Sequence, residues 1–424
     1  MSERTIGMGA LPPERAQRGS GVGDDILIAR AVLNRLAEPA CIPLWHLVRE
    51  HGPVAAVELI RAGDAPSEVT NATAARIGIV DPQADLEAAQ RHGVRLIVPE
   101  SDEWPHFAMA CLERTGIARA DLYDRGQRTH AEYGEPIPPL ALWAKGPLDL
   151  AAVGVRSVGI VGARAATTYG EQVAADLAYG LARRGFEVVS GGAFGIDSAA
   201  HRGALAAGGC TVVVSAGGLD RPYPPANAAL FDRASESGLL LSESPPGAAP
   251  QRRRFLTRNR LIGALATGTV IAEASARSGA MNTAGHCFRL GRPVMAVPGP
   301  VTSIVSAGCH QLLADENRRA SLVASVDDVL MLIGGSGDIA EVGPSPAGHA
   351  DEVRARLDAV DRRARQVYDG FPAHRCVSPE DLAASSGLSP LEIIRALPVL
   401  ELAGLIEATA DGFRIARRRV SERK

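Results

Sequence analysis

From residue 23 the chain reads first as a series of short helices. ILIARAVLNRL (26–36), LWHLVREHG (44–52) and AAVELIRAG (55–63) each repeat apolar residues at three- and four-residue spacing, with Gly or Pro between them. VRLIVPESDEWP (94–105) reads as a strand and a turn. PLALWAKG (139–146) reads as a further strand, and the polar stretch 117–139 between them as an inserted loop. From residue 157 the pattern changes. The apolar runs SVGIVGA, FEVVSGG, TVVVSAGG, GLLLSES, GTVIAEAS and RPVMAVPG read as strands, and helix-like stretches fall between most of them: 168–185, 196–209, 255–267 and 282–291.

Strands apolar on both faces, alternating with helices, predict an α/β fold built on a parallel, doubly wound sheet, for which the family resemblance given below implies the extended Rossmann-like form. Such sheets bind ligands beyond the carboxyl ends of their strands. GGSGDIAEVGPSPAGHA (334–350) is a linker by composition. Beyond it come three helical stretches, the last being SPLEIIRALPVLELAGLI. EATADGFRIA then supplies a hairpin with DG at its tip, an arrangement that resembles a winged helix. The expected organisation is therefore a disordered N-terminus (1–22), a small helical domain of the SAM or helix-hairpin-helix kind (23–90), the Rossmann-like domain (91–333), the linker, a C-terminal winged helix (351–417) and a basic tail (418–424).

Composition narrows the partners. The formal net charge of the 424 residues is -3, so no global positive field advertises nucleic acid, and any such site must come from local arginine clusters. Six scattered cysteines show no CxxC spacing, which fits reduced thiols. With no apolar N-terminal leader and no run of about 20 apolar residues, the expectation is a cytoplasmic protein with no membrane partner and no bound metal or cofactor.

Two glycine-bearing turns follow successive strands, GARAATTYG (162–170) and SGGAFGIDSAAH (190–201). Backbone N–H groups at helix N-termini bind anions. That makes Gly162, Ala163, Arg164, Ser190, Gly191, Gly192, Phe194 and Gly195 candidate phosphate ligands. Neither turn is a P-loop, and the first is not GxGxxG. A third turn, GGLDRPYPPAN (217–227), offers Asp220 and Tyr223, which loop structure explains equally well. QRRRFLTRNR (251–260) interleaves Arg252, Arg258, Asn259 and Arg260 with Phe255, a pattern suited to single-stranded nucleic acid: charge for the backbone, a ring for a base.

Together these motifs resemble the DNA-processing protein A family (DprA, also called Smf). GARAATTYG is similar to its GxRxxTxYG loop, SGGAFGIDSAAH to SGxAxGIDxxAH, GGLDRPYPPAN to GxGxDxxYPxxN, SESPPG to SExPxG, FLTRNRLIGAL to FxxRNRxIxxL, and RPVMAVPG to its closing strand. The resemblance implies a non-enzymatic protein that binds and protects incoming single-stranded DNA. It further implies loading of the RecA recombinase in natural transformation, and a homodimer formed through the Rossmann-like domain. Gly162, Ala163 and Arg164 would form a phosphate pocket walled by 190–195, and Arg252, Phe255, Arg258 and Arg260 would hold the strand. The sequence departs from the family at Ala163 (often Ser), at Arg252 (often Lys) and at Asn282, where GAMNTA replaces a GSLITA-like stretch.

Two other classes stay open at this stage. Asp197, Asp220, Glu243 and Glu273, with His201 and His286, could serve a Rossmann-like nucleotide or nucleoside-phosphate hydrolase. Capping would account for Asp197, and pairing with an RNR arginine for Glu273. A winged-helix regulator that senses a small ligand is the third reading, although the second helix of its helix-turn-helix offers only Arg395 as a cation.

Overall fold

The computed structural model describes residues 22–124, 136–317, 320–335, 356–357, 359–372, 376–409 and 412–416. The expected disordered N-terminus up to residue 21, the linker from 336, the basic tail and the first residue of the hairpin's DG tip lie outside the described residues. The chain forms two compact units, 1–339 and 340–424.

In the first unit five helices come first: α1 (Asp24–Leu36), α2 (Ile42–His51), α3 (Pro53–Ala62), α4 (Ser67–Thr73) and α5 (Pro82–Arg91). The apolar stripes of α1 to α4, among them Leu33, Leu36, Leu44, Val57 and Ile60, close on one another as one core, while Ala89 of α5 packs with Val94 and Trp143. Then follow β1 (Arg95–Ile97), α6 (His106–Asp124), β2 (Leu142–Lys145), β3 (Ser157–Val161), α7 (Thr168–Ala182), β4 (Glu187–Ser190), α8 (Ile196–Ala206) and β5 (Thr211–Ser215). The unit ends with α9 (Ala228–Ser237), β6 (Leu239–Ser242), α10 (Arg252–Leu265), β7 (Gly268–Ile271), α11 (Gly279–Arg289), β8 (Val294–Ala296), α12 (Ala307–Ala314), β9 (Ser321–Leu322) and α13 (Val326–Ile333). The polar loop expected from residue 117 starts later, because α6 buries Ala108, Met109 and Leu112 and continues as a helix to Asp124.

The nine strands make one sheet in the order β1-β2-β6-β5-β4-β3-β7-β8-β9. The pairs from β6 to β9 are parallel, whereas β1 and β2 add an antiparallel edge. Successive strand residues point to opposite faces. Ile160 and Val188 therefore join the core under α7 and α8, while Val161 and Val189 join the one under α10 and α11. Strand order reverses between β3 and β7, so the turns after these strands diverge and open a crevice at the sheet edge.

The helical layer is tied to the sheet by polar contacts that its own pattern does not disclose. Asn34 Nδ2 donates to Glu243 O (2.8 Å), and the fully buried Trp143 donates to Asn34 Oδ1 (2.9 Å). Glu38 accepts from Arg76 and from Arg254, at the start of α10 (2.8 and 2.9 Å for the latter). These guanidinium bonds outweigh burial and hold the Glu38 carboxyl down at about 2.

The second unit contains α14 (Arg362–Asp369), α15 (Pro379–Ser386), α16 (Pro390–Leu402), β10 (Ile406–Thr409) and β11 (Gly412–Ile415). The strands pair as a hairpin, and Ser378 and Asp381 form a capping box at the start of α15. On α16 Leu391, Ile394, Val399 and Leu402 are exposed alongside Arg395 and Glu401.

Candidate functional site

A cleft of about 750 Å³ opens at the crevice. One wall is the turn after β3, with Gly162, Ala163 and Arg164. The second is α10, with Arg252, Phe255, Arg258 and Asn259. The third is the N-terminus of α11, with Arg277, Ser278, Gly279 and Thr283; Ala193, Asp197 and Tyr223 complete it. Helix α10 begins three residues before the expected 255, so Arg252 sits in its first turn and is exposed. Arg164 is exposed too, with its guanidinium carbon 5.2 Å from the centre of the Phe255 ring. Phe255 is half-buried and packs against Tyr223 at 5.6 Å. A base reaching Phe255 therefore meets a ring that Arg164 already covers.

The structure withdraws Arg258 and Arg260, further along α10, from the solvent. Arg260 is fully buried. It donates to both oxygens of Glu243 (2.6 and 2.7 Å), to Ile137 O (2.9 Å) and to Thr257 O (3.3 Å). Its fork is filled, so the expected strand contact at Arg260 is corrected to a structural ion pair. Arg258 is buried beneath Phe255, donating to Gly191 O (2.8 Å), to Val214 O and to Asn259 Oδ1 (3.1 Å). Burial lowers its pKa to about 10 against the pull of Asp197. It joins the turn after β4 to the end of β5. Asn259 is likewise buried, and its amide donates to Asn282 Oδ1 (2.9 Å). The Asn in GAMNTA is thus explained, because it accepts the bond that joins α10 to α11.

The glycine loops also differ from expectation. Ala163 N donates to Glu273 O (2.7 Å), and Ser190 Oγ donates to Ile160 O (2.6 Å), so neither serves an anion. Gly195 caps α8 at φ +71, where a Cβ would lie 2.4 Å from Ala163 O, so the glycine is required by the close approach of the two turns. Gly192 also has φ +71, and its carbonyl accepts from Asn227 (3.0 Å). Phe194 is exposed and is not part of the cleft lining.

The donors at the N-terminus of α8 are already engaged by the carboxyl group of Asp197. It is buried and accepts from Ala193 N (3.3 Å), with the N–H groups of Gly162 and Gly191 also directed to it. Burial raises its pKa, and Arg258 and these N–H groups oppose the rise. Within the phosphate seat expected over 190–195, the N–H groups of Gly191 and Ala193 are thus engaged by Asp197.

The other acids of the crevice have partners as well. Glu273 accepts from Thr167 N (2.9 Å) and Thr167 Oγ1 (2.7 Å) at the start of α7, not from an RNR arginine. Asp220 accepts from Gly247 N (2.8 Å). His201 is buried against Thr211, and burial lowers its pKa to about 3. Among the described residues no group of three or more His, Cys, Asp or Glu is placed to hold a metal, and no helix is long and apolar enough to cross a membrane.

Sequence reasoning missed Arg277 and Ser278. The signal was available: Arg-Ser-Gly opens a helix at the end of the turn after β7, as glycine-bearing turns do after β3 and β4. Asn282 drew the attention instead.

Comparison with known proteins places the chain. The family model for DNA recombination-mediator protein A matches residues 128–334, and that for the DprA winged helix domain matches 349–412. The putative DNA processing protein DprA of Mycobacterium tuberculosis is 46% identical over 389 residues, 92% of this chain and 94% of that one. Protein Smf of Escherichia coli is 32% identical over 277 residues, 65% of this chain and 71% of that one. The X-ray structure of DNA processing protein A from Streptococcus pneumoniae aligns with a TM-score of 0.53 at 28% identity, covering 73% of this chain and 98% of the other.

Proposed function

The chain belongs to the DNA recombination-mediator protein A family, and from that premise we propose that its cleft binds single-stranded DNA during transformation and recombination. One observation carries the reading: the cations left exposed in the cleft, Arg164, Arg252 and Arg277, share it with an aromatic pair, the half-buried Phe255 and the exposed Tyr223. Guanidinium groups take phosphate oxygens, and rings take unpaired bases. Backbone contacts carry no sequence information, so binding tolerates any sequence and weakens with salt.

In this reading the protein acts in the cytoplasm as a homodimer, protects the strand and passes it to the RecA recombinase, without catalysis. The absence of catalysis is supported by the carboxylates of the crevice, which already bind backbone N–H groups, Thr167 or Arg260. Within the earlier residue set, Arg164, Arg252 and Phe255 keep the role of strand contacts.

The test is binding of a fluorescent oligo-dT across a salt series. Wild type binds, prefers single over double strands, and loses affinity with a log–log slope set by its phosphate contacts. Arg164→Ala and Arg252→Ala each reduce that slope by about 0.7. Unchanged affinity and slope in both folded variants would refute the assignment.

A further inference from the structure

Two guanidinium groups lie over the Phe255 ring, that of Arg164 at 5.2 Å from its centre and that of Arg258 at 5.9 Å. They are held very differently. Arg258 is buried and donates to Gly191 O (2.8 Å), to Val214 O and to Asn259 Oδ1 (3.1 Å), so it stays where it is. Arg164 is exposed, and among the described residues no hydrogen bond or ion pair holds its guanidinium. The ring contact is what orients it.

The backbone of Arg164 is fixed, so only its side chain is free to turn. Ala163 N donates to Glu273 O (2.7 Å), and Ile196 N donates to Ala163 O (3.2 Å). A Cβ on Gly195 would lie 2.6 Å from Arg164 O, which shows how closely the next turn packs against this one. The resting arrangement also sets two like charges over one ring: burial lowers the pKa of Arg258 to about 10, and the charge of Arg164 adds to the fall. A cation–π contact at an exposed site is weak, and exposed side chains change rotamer within nanoseconds.

A single strand brings a partner for each half of this contact. Phosphate oxygens take a guanidinium, and an unpaired base takes the face of a ring. A base cannot lie on a face that Arg164 occupies. We infer that Arg164 is a displaceable cover on the stacking face of Phe255: an entering base takes the ring, and the released guanidinium turns to the phosphate beside it. The inference rests on the strand reading above. It makes Arg164 a specificity-determining residue, because loss of the ring contact is offset in full only by a ligand that offers both an unpaired base and a phosphate. A backbone without bases breaks the contact and supplies nothing to the ring.

The test is a double-mutant cycle of Arg164→Ala and Phe255→Leu. Fluorescence anisotropy at one salt concentration gives affinities for oligo-dT and for an equally long oligonucleotide of abasic sites. A contact present only in the free protein opposes binding, and either substitution removes it. The loss of oligo-dT affinity caused by Arg164→Ala is therefore smaller in wild type than in the Phe255→Leu background, by about two- to fivefold, the weight of one exposed cation–π contact. Phe255→Leu alone weakens oligo-dT binding, since the base loses its ring. It tightens binding of the abasic strand by that same two- to fivefold, an effect that a merely structural role for Phe255 does not produce. Melting curves establish that each variant is folded at the assay temperature; should Phe255→Leu fail this, Phe255→Met, closer in volume, takes its place.

Additive losses, or a loss from Arg164→Ala that is greater when Phe255 is present, would overturn the cover and leave the strand reading intact. Unchanged or weaker binding of the abasic strand to folded Phe255→Leu would do the same. A wild type that does not bind oligo-dT removes both.

Discussion

Arg260 lies in the run of arginines that the sequence offers as the strand-binding surface, and replacing it separates a binding role from a structural one. Its guanidinium makes four hydrogen bonds, two of them to the Glu243 carboxylate, and no part of the residue reaches solvent. Arg260→Ala removes the fork and strands Glu243, itself 7% exposed, as an uncompensated buried charge. Breaking a buried pair from one side costs about 3–5 kcal/mol. For a unit of this size, each kcal/mol lowers the melting temperature by about 2–4 °C, giving a fall on the order of 10 °C. Thermal melts and urea titrations followed by circular dichroism measure it. The double variant Arg260→Met/Glu243→Leu removes both charges, and it recovers much of the loss because an apolar pair of similar volume avoids the desolvation cost. Below its transition, Arg260→Ala binds oligo-dT with wild-type affinity. A variant that melts like wild type but no longer binds the strand would refute this reasoning and return Arg260 to the cleft.

Two further outcomes follow from other buried groups. The hydroxyl of Thr211 donates to Val188 O, so His201 Nδ1 must donate to Thr211 (2.7 Å), leaving Nε2 buried and unprotonated. Because the folded pKa of His201 is depressed to about 3, its contribution to stability is complete above the unfolded value of about 6.5. It is lost as pH falls, by up to about 1.4 kcal/mol per pH unit. His201→Gln flattens the urea midpoint between pH 7 and 5, and an unaltered slope would show that His201 is not the group responsible. Thr167→Val removes the hydroxyl that binds Glu273 and caps α7; it costs about 1 kcal/mol in urea unfolding and leaves oligo-dT affinity unchanged, whereas a selective loss of binding would place Glu273 in the ligand site.

The alternation of apolar strands and amphipathic helices was enough to read the parallel sheet, because strands buried on both faces leave no polar positions to confuse the period. The winged helix was legible for a similar reason: three short amphipathic stretches and a DG hairpin leave few other arrangements. What the sequence could not show was depth along a helix. Arg253 and Arg260 lie seven residues apart, on nearly the same side of α10. Arg253 is exposed in the first turn, and Arg260 is two turns further in, under β6. The difference is made by Glu243, seventeen residues before Arg260, at the end of β6, where only the folded turn between β6 and α10 brings the two together. Asp197 illustrates the same limit. Its early position in a helix suggested a cap, but its hold on the N–H groups of Gly162 and Gly191 needs two loops to meet. Only their meeting takes up the N–H groups that each loop alone would offer a phosphate.

These burials also explain how a chain with a formal net charge of -3 can present a polyanion with a favourable surface. Charge counted over a sequence weighs buried and exposed groups alike, whereas a ligand in a cleft feels mainly those that solvent and partners leave uncompensated. In this crevice the acids are the buried members. Asp197 faces Arg258, Glu243 is paired with Arg260, and Glu273 caps α7 through Thr167. Each of these contacts also fixes a wall of the cleft, since Arg258 joins the turns after β4 and β5, and Thr167 joins the turns after β3 and β7. The cations that remain, Arg164, Arg252 and Arg277, are exposed and stand one to each wall. The interactions that make the cleft rigid are therefore the same ones that turn its acids inward, and the local positive field is a consequence of how the sheet edge is held together.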